Sequence, residues 1–188
     1  MQLMSRHHGE SLVRKRRLAR GFTMVELIIT VSVAAVLLAI AVPSFRNIIL
    51  SNKLTTTANE VIAAINVARM EAIKSNAVTQ FCGAASNGSD TLGAACKQPG
   101  EVYALINGAA NAVRAGTPGI NPPIVLTSMT AVRFGGQGLG HPPASTAPYD
   151  GLIADISTSA MSTDNHRCVR MVAGSILATT TTSAACPK

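Results

Sequence analysis

The sequence predicts an α+β protein: a long N-terminal α-helix with a membrane-spanning first half, packed by its C-terminal half on a mostly antiparallel β domain. Three observations predict it. Met24 to Val42 form 19 residues with a single charge, Glu26. Beyond them an apolar stripe recurs at helical spacing as far as Ala72. After Asn76 the helical period gives way to short β-type runs between Gly-, Pro-, Ser- and Asn-rich connectors. A helix followed only by strands is an α+β pattern.

The elements follow in chain order. Residues 1–21 lack apolar periodicity and carry Arg6, Arg14, Lys15, Arg16, Arg17 and Arg20 against Glu10, a net +5. The formal charge of +7 is therefore mostly a property of this basic segment, and the remainder is only about +2. Such a distribution is a targeting pattern and poor evidence for a nucleic-acid-binding surface. The apolar stretch comes next. As a helix it is about 28 Å long, close to the hydrocarbon thickness of a bilayer. A basic cluster before a span predicts a cytoplasmic N-terminus, with the bulk of the chain on the far side. No small-residue cleavage site of the ordinary secretory kind follows Val42, so the span reads as an anchor.

Pro43 removes one backbone hydrogen bond and predicts a kink, but the helical pattern continues past it. Leu54, Ala58, Val61, Ile65, Ala68 and Ala72 lie at alternating spacings of four and three, one face of an amphipathic helix. Asn52, Thr56, Asn59, Asn66 and Lys74 fall on the other side. The helix is expected to run from Phe22 to about Ser75, with residues 22–45 as the membrane half and 46–76 as the amphipathic half. Residues 77–188 form the β domain. Its candidate strands are 77–82, 101–106, 124–127, 131–134, 151–157, 166–172 and 175–178. The segment 135–149, with four glycines and three prolines, reads as a long exposed loop.

Four cysteines, Cys82, Cys96, Cys168 and Cys186, make an even number in an oxidising compartment. Of the three possible pairings, Cys82–Cys96 with Cys168–Cys186 is favoured because each closes a short local loop. No C-x-x-C and no Cys/His pair at finger spacing is present, so neither a metal nor any cofactor is expected. The sequence contains no G-x-S-x-G, H-E-x-x-H or P-loop, and no catalytic residue is assigned. Asn87-Gly88-Ser89 fits a glycosylation acceptor pattern and reads as a turn.

The run Gly21-Phe22-Thr23-Met24-Val25-Glu26, followed by the apolar stretch and Pro43, resembles the class III signal of type IV pilins and type II secretion pseudopilins. That resemblance implies cleavage by a prepilin peptidase between Gly21 and Phe22, N-methylation of Phe22, and loss of the leader 1–21. It also implies a single-pass subunit of the bacterial inner membrane, with its β domain in the periplasm until it joins a pilus or pseudopilus. In the family, the carboxylate at Glu26 neutralises the N-terminal amine of a neighbouring subunit during assembly. Opposite charges attract strongly in a low dielectric, and a mispaired neighbour would leave both charges buried. The plainer reading is that Glu26 snorkels to the cytoplasmic headgroups.

The order of helix and strands is similar to minor pilins of the GspH/FimT type. Ala131 to Gly138 would match a strand and glycine turn, and Arg167 to Ile176 a strand, turn and final strand. The implied function is structural, a minor pilin or pseudopilin whose partners are the prepilin peptidase, the inner membrane and other pilins. The alternative is a DNA-binding minor pilin for natural transformation on the same scaffold. Some FimT-type members bind DNA through a Gly-Arg-x-Arg motif, whereas the corresponding turn here is Gly174-Ser175-Ile176-Leu177, without either arginine. Arg167 and Arg170, with His166 nearby, are the only basic cluster of the domain. Three residues apart on a strand they point to opposite faces, so DNA is not the favoured partner.

Overall fold

The computed structural model describes residues 21–187 apart from Ser86 and the side chain of Pro43. The leader thus falls outside the described residues except for Gly21. Helix α1 spans Met24–Ser75, as the stripe predicts. Thr23 starts it: its Oγ1 accepts from the backbone N–H of Glu26 at 3.2 Å, satisfying one of the N–H groups that a helix start leaves open. The helix continues through Pro43. It stops at Asn76, which takes the left-handed conformation (φ 48°) of a helix terminator.

The strands follow as β1 (Thr79–Phe81), β2 (Val102–Ile106), β3 (Ala109–Arg114), β4 (Val125–Met129), β5 (Val132–Phe134), β6 (Gly140–His141), β7 (Gly151–Ser157), β8 (His166–Val172) and β9 (Ile176–Thr182). A five-residue helix α2 (Thr91–Ala95) lies between β1 and β2, capped by Asp90, whose Oδ1 accepts from Gly93 N. Two sheets form, ordered β3-β2-β1-β5-β6 and β4-β7-β8-β9. All strand pairs are antiparallel. β4 of the second sheet runs into β5 of the first through Thr130 and Ala131, and Ala84 N donates to Met129 O at 2.9 Å beside an isolated parallel bridge of Ala85 with Thr130.

All six stripe residues of α1 are fully buried, joined by Ala64. They pack on Phe81, Val102 and Phe134 of the first sheet and Ile153, Ile156, Val169 and Met171 of the second. Alanines at three of the six stripe positions let the sheets approach the helix closely, and the larger strand side chains fill the space. Thr79 adds a buried hydrogen bond from its hydroxyl to Ala68 O, at 2.8 Å. The five residues expected on the opposite side of α1 are all exposed.

Three expectations need correction. β3 was not anticipated: Ala109-Ala110-Asn111-Ala112 is poor in strand-forming residues, and the hairpin is dictated by its turn instead. Asn107 and Gly108 both have positive φ, 51° and 78°, the conformation of a tight two-residue hairpin loop. The segment 135–149 is not wholly an exposed loop. Gly138 and Gly140 are buried, and β6 within it pairs with β5. The last strand extends four residues beyond Ala178, through threonines 179–182, because threonine suits a pleated, half-exposed surface.

Candidate assembly site

From Gly21 to Val42 every residue is exposed, including Leu27, Ile28, Val31, Val36, Leu37 and Leu38. A helix that is apolar all round must be covered by hydrocarbon or by other helices. Among the described residues α1 is the one helix long and apolar enough to cross a membrane, a test that a signal sequence also passes. The two hydroxyls of the stretch are turned back on the helix itself. Thr30 donates to Leu27 O at 2.9 Å and Ser32 to Ile28 O at 2.7 Å. Hydroxyls bonded this way need no water, so they fit an apolar environment.

Glu26 stands in the first turn of α1, where the helix dipole favours a negative charge. Thr23-Met24-Val25-Glu26 also has the spacing of a capping box, a feature the sequence displays but which was not read from it. Of that box the structure shows the Thr23 half, whose hydroxyl accepts from the Glu26 N–H. Phe22, at the expected new terminus, is exposed.

The amphipathic half of α1 is clamped to the sheets on both flanks. On one flank Arg114 of β3 meets Glu60 at 2.6 Å. On the other, Arg69 donates to Ser175 O at 2.7 Å and lies over the Phe134 ring, 5.5 Å from its centre. Burial holds the Arg69 guanidinium below its ordinary pKa.

On that same flank Arg167 of β8 is only 5% exposed. Its Nε donates to Thr55 Oγ1, its Nη1 to Asp164 O and His166 O, and its Nη2 to Ser51 Oγ and Ser51 O. All five guanidinium donors are thus taken by neutral oxygens. Arg170 instead donates to Pro187 O at 2.7 Å. The two arginines are not brought together as a cationic face: Arg167 is a buried clamp between β8 and α1.

His166 Nδ1 lies 2.7 Å from Oδ1 of Asp155, which is 2% exposed. Asp155 Oδ2 accepts from Cys186 N at 3.1 Å, so this buried carboxylate ties down the C-terminal tail. Sequence reading missed Asp155; an acid between Ala154 and Ile156 in a β-type run is the signal that marks it. Disulfides join Cys82 to Cys96 and Cys168 to Cys186. Asp155, His166 and Cys186 lie close enough to hold an ion, but the Cys186 sulfur is committed to its disulfide. Asn87 is engaged with Gly83 through both N and O of that residue, the geometry of a turn.

The family of type II transport protein GspH matches residues 57–174, which cover the buried half of α1 and the sheets through β8. The chain belongs to the GspH family. A prokaryotic N-terminal methylation motif matches residues 16–42, spanning the Gly21–Phe22 junction and the exposed apolar helix. No curated protein and no solved structure matched the chain. GspH-family membership makes it a pilin-like structural subunit. The methylation motif implies processing by prepilin peptidase and assembly with other pilins.

Proposed function

We propose that this GspH-family chain is cut between Gly21 and Phe22, methylated on Phe22, and held in the inner membrane by residues 22–45. Its N-terminus faces the cytoplasm and its β domain the periplasm. From there it enters a type II secretion pseudopilus, or a type IV pilus, through α1. The observation that carries this reading is the split character of one helix: fully exposed apolar surface up to Val42, fully buried stripe from Leu54. A subunit made this way completes its own β domain and leaves the other half of the helix for lipid before assembly and for neighbouring helices after it. The description of the matched family as a type II transport protein favours the secretion machine.

Glu26 is assigned the pairing with a neighbour's N-terminal amine, and Pro43 the site of a bend. Mass spectrometry of the purified protein tests the cut: a chain beginning at methylated Phe22 is expected, and one beginning at Met1 removes the reading. Glu26→Ala is expected to be processed normally but to be lost from assembled filaments. Undiminished incorporation would sink the pairing role, and Glu26→Gln separates the charge from the size of the side chain. DNA binding has little support, since the Arg167 donors are already occupied.

A further inference from the structure

The face of the second sheet turned away from α1 gathers side chains that metal ions favour. Arg167 and Val169 of β8 face the helix, so His166 and Cys168, on either side of Arg167, point the other way. Asp155 of β7 is paired with Cys168 in register, and its carboxylate reaches His166 Nδ1 at 2.7 Å. The C-terminal tail crosses this face. Cys186 is bonded to Cys168, its N–H is held by Asp155 Oδ2 at 3.1 Å, and Pro187 O accepts from Arg170. Finger spacing along the chain is absent, but the donors meet across two strands and a tail.

Among the described residues, Asp155, His166 and Cys186 are the one group of metal-ligating side chains whose donor atoms all lie within 4.8 Å of one another. Around tetrahedral zinc, sulfur, nitrogen and oxygen donors stand about 3.4–3.8 Å apart, so the cluster is already on that scale. The obstacle is the bond between the two sulfurs, which keeps both from becoming thiolates. Breaking it supplies two donors at once, because Cys168 completes a set of four. A cavity of about 610 Å³ has Asp155 and Cys186 in its wall beside Tyr149 and Asp150, which gives an ion a way in.

We propose that the reduced form of this corner is a zinc site, ligated by the Cys168 and Cys186 thiolates, the His166 imidazole and one Asp155 carboxylate oxygen. A dithiol reductant passes two electrons and two protons to the Cys168–Cys186 bond and closes its own disulfide. Zinc then displaces both thiol protons to solvent as two metal–sulfur bonds form. Two sulfurs, a nitrogen and an oxygen suit tetrahedral zinc better than the oxygen-seeking calcium or magnesium. Two thiolates and a carboxylate leave the loaded site with one negative charge, and Arg170 follows on the same face of β8. Zinc and the disulfide are thus alternative locks on one tail, the first for reduced sulfurs and the second for oxidised ones. The site is complete within a single chain and does not depend on the assembly reading.

The test uses the full chain in detergent, reduced with a phosphine and titrated with cobalt(II) as a coloured stand-in for zinc. One equivalent is expected to bind, giving a sulfur-to-cobalt charge-transfer band and the strong visible bands of a tetrahedral ion. Excess zinc should bleach both, and the oxidised chain should show neither. In the zinc-loaded reduced chain, Cys168 and Cys186 are expected to resist alkylation while Cys82 and Cys96 react as they do without metal. His166→Ala and, separately, Asp155→Asn are expected to weaken cobalt binding at least about tenfold. If either variant fails to fold, the alkylation pattern of the unsubstituted chain decides. Equal cobalt binding by the oxidised chain, no charge-transfer band after reduction, or protection of all four thiols alike, as in a chain unfolded by reduction, would each overturn the site. Full affinity in both folded variants would overturn it too, by removing the imidazole and the carboxylate as ligands.

Discussion

The two halves of α1 share one backbone and have opposite surroundings. Up to Val42 the apolar side chains face outward in all directions, and Glu26 sits among them. From Leu54 onward a narrow stripe, half of it alanine, is buried to the last atom while polar residues face out. Apolar content therefore says little about where a segment of this helix packs; its distribution around the helix decides. The first half depends on partners outside the chain, and the second is completed by the chain's own sheets.

That contrast can be broken at single residues. Ile65→Ala opens a cavity under both sheets and is expected to cost the β domain about 2–5 kcal/mol. Leu37→Ala, in the exposed half, is expected to leave the domain's unfolding temperature unchanged. Thermal unfolding of both variants in detergent compares them, and equal losses would mean that the halves are not independent. Removing the Cys82–Cys96 disulfide by paired alanines is expected to cost about 2–4 kcal/mol. It should do so without altering membrane insertion, which a carbonate extraction reads.

Arg167→Leu strips five acceptors of their donor and is expected to cost about 1–3 kcal/mol, scaled from the penalty for an unsatisfied buried group. Hydrogen exchange should rise around Ser51 and Thr55 and stay low at Ala68. A uniform rise along the helix would contradict a local clamp.

The smallest effect belongs to Asp90, an exposed carboxylate. The Arg133 hydrogen bond, aided by Gly93 N–H and opposed by slight burial, holds its pKa below the ordinary value. Its contribution is present above the usual aspartate range, around pH 4, and is lost as pH falls through the lowered folded value. Asp90→Asn should thus lower stability slightly at neutral pH, with the difference from the unsubstituted chain fading as pH falls through the lowered folded value, so that the acid limb of a stability-against-pH curve flattens.

Much of this was legible in the sequence. The stripe from Leu54 to Ala72 declares itself because helical spacing survives any uncertainty about what it packs against. β7 and β8 were placed to the residue, since Leu152 to Ile156 and Cys168 to Val172 are rich in strand formers. β3 was hidden because its alanines suit a helix as well as a strand, so only Asn107-Gly108 betrayed it. The clamp at Arg167 was invisible for another reason. Its acceptors Ser51 and Thr55 lie more than a hundred residues away in the chain, and no local pattern encodes a contact of that range. Asp155 went unread because His166 meets it only once β7 and β8 pair, and the Cys186 amide only after the tail has folded back.

The acceptors around Arg167 have one more consequence. Each is a hydroxyl or a peptide carbonyl, and none of these gains or loses a proton over ordinary pH. The joint between α1 and β8 is therefore blind to acidity, unlike the carboxylate corner at Asp90. It should hold with the same strength across the pH range in which the fold itself survives.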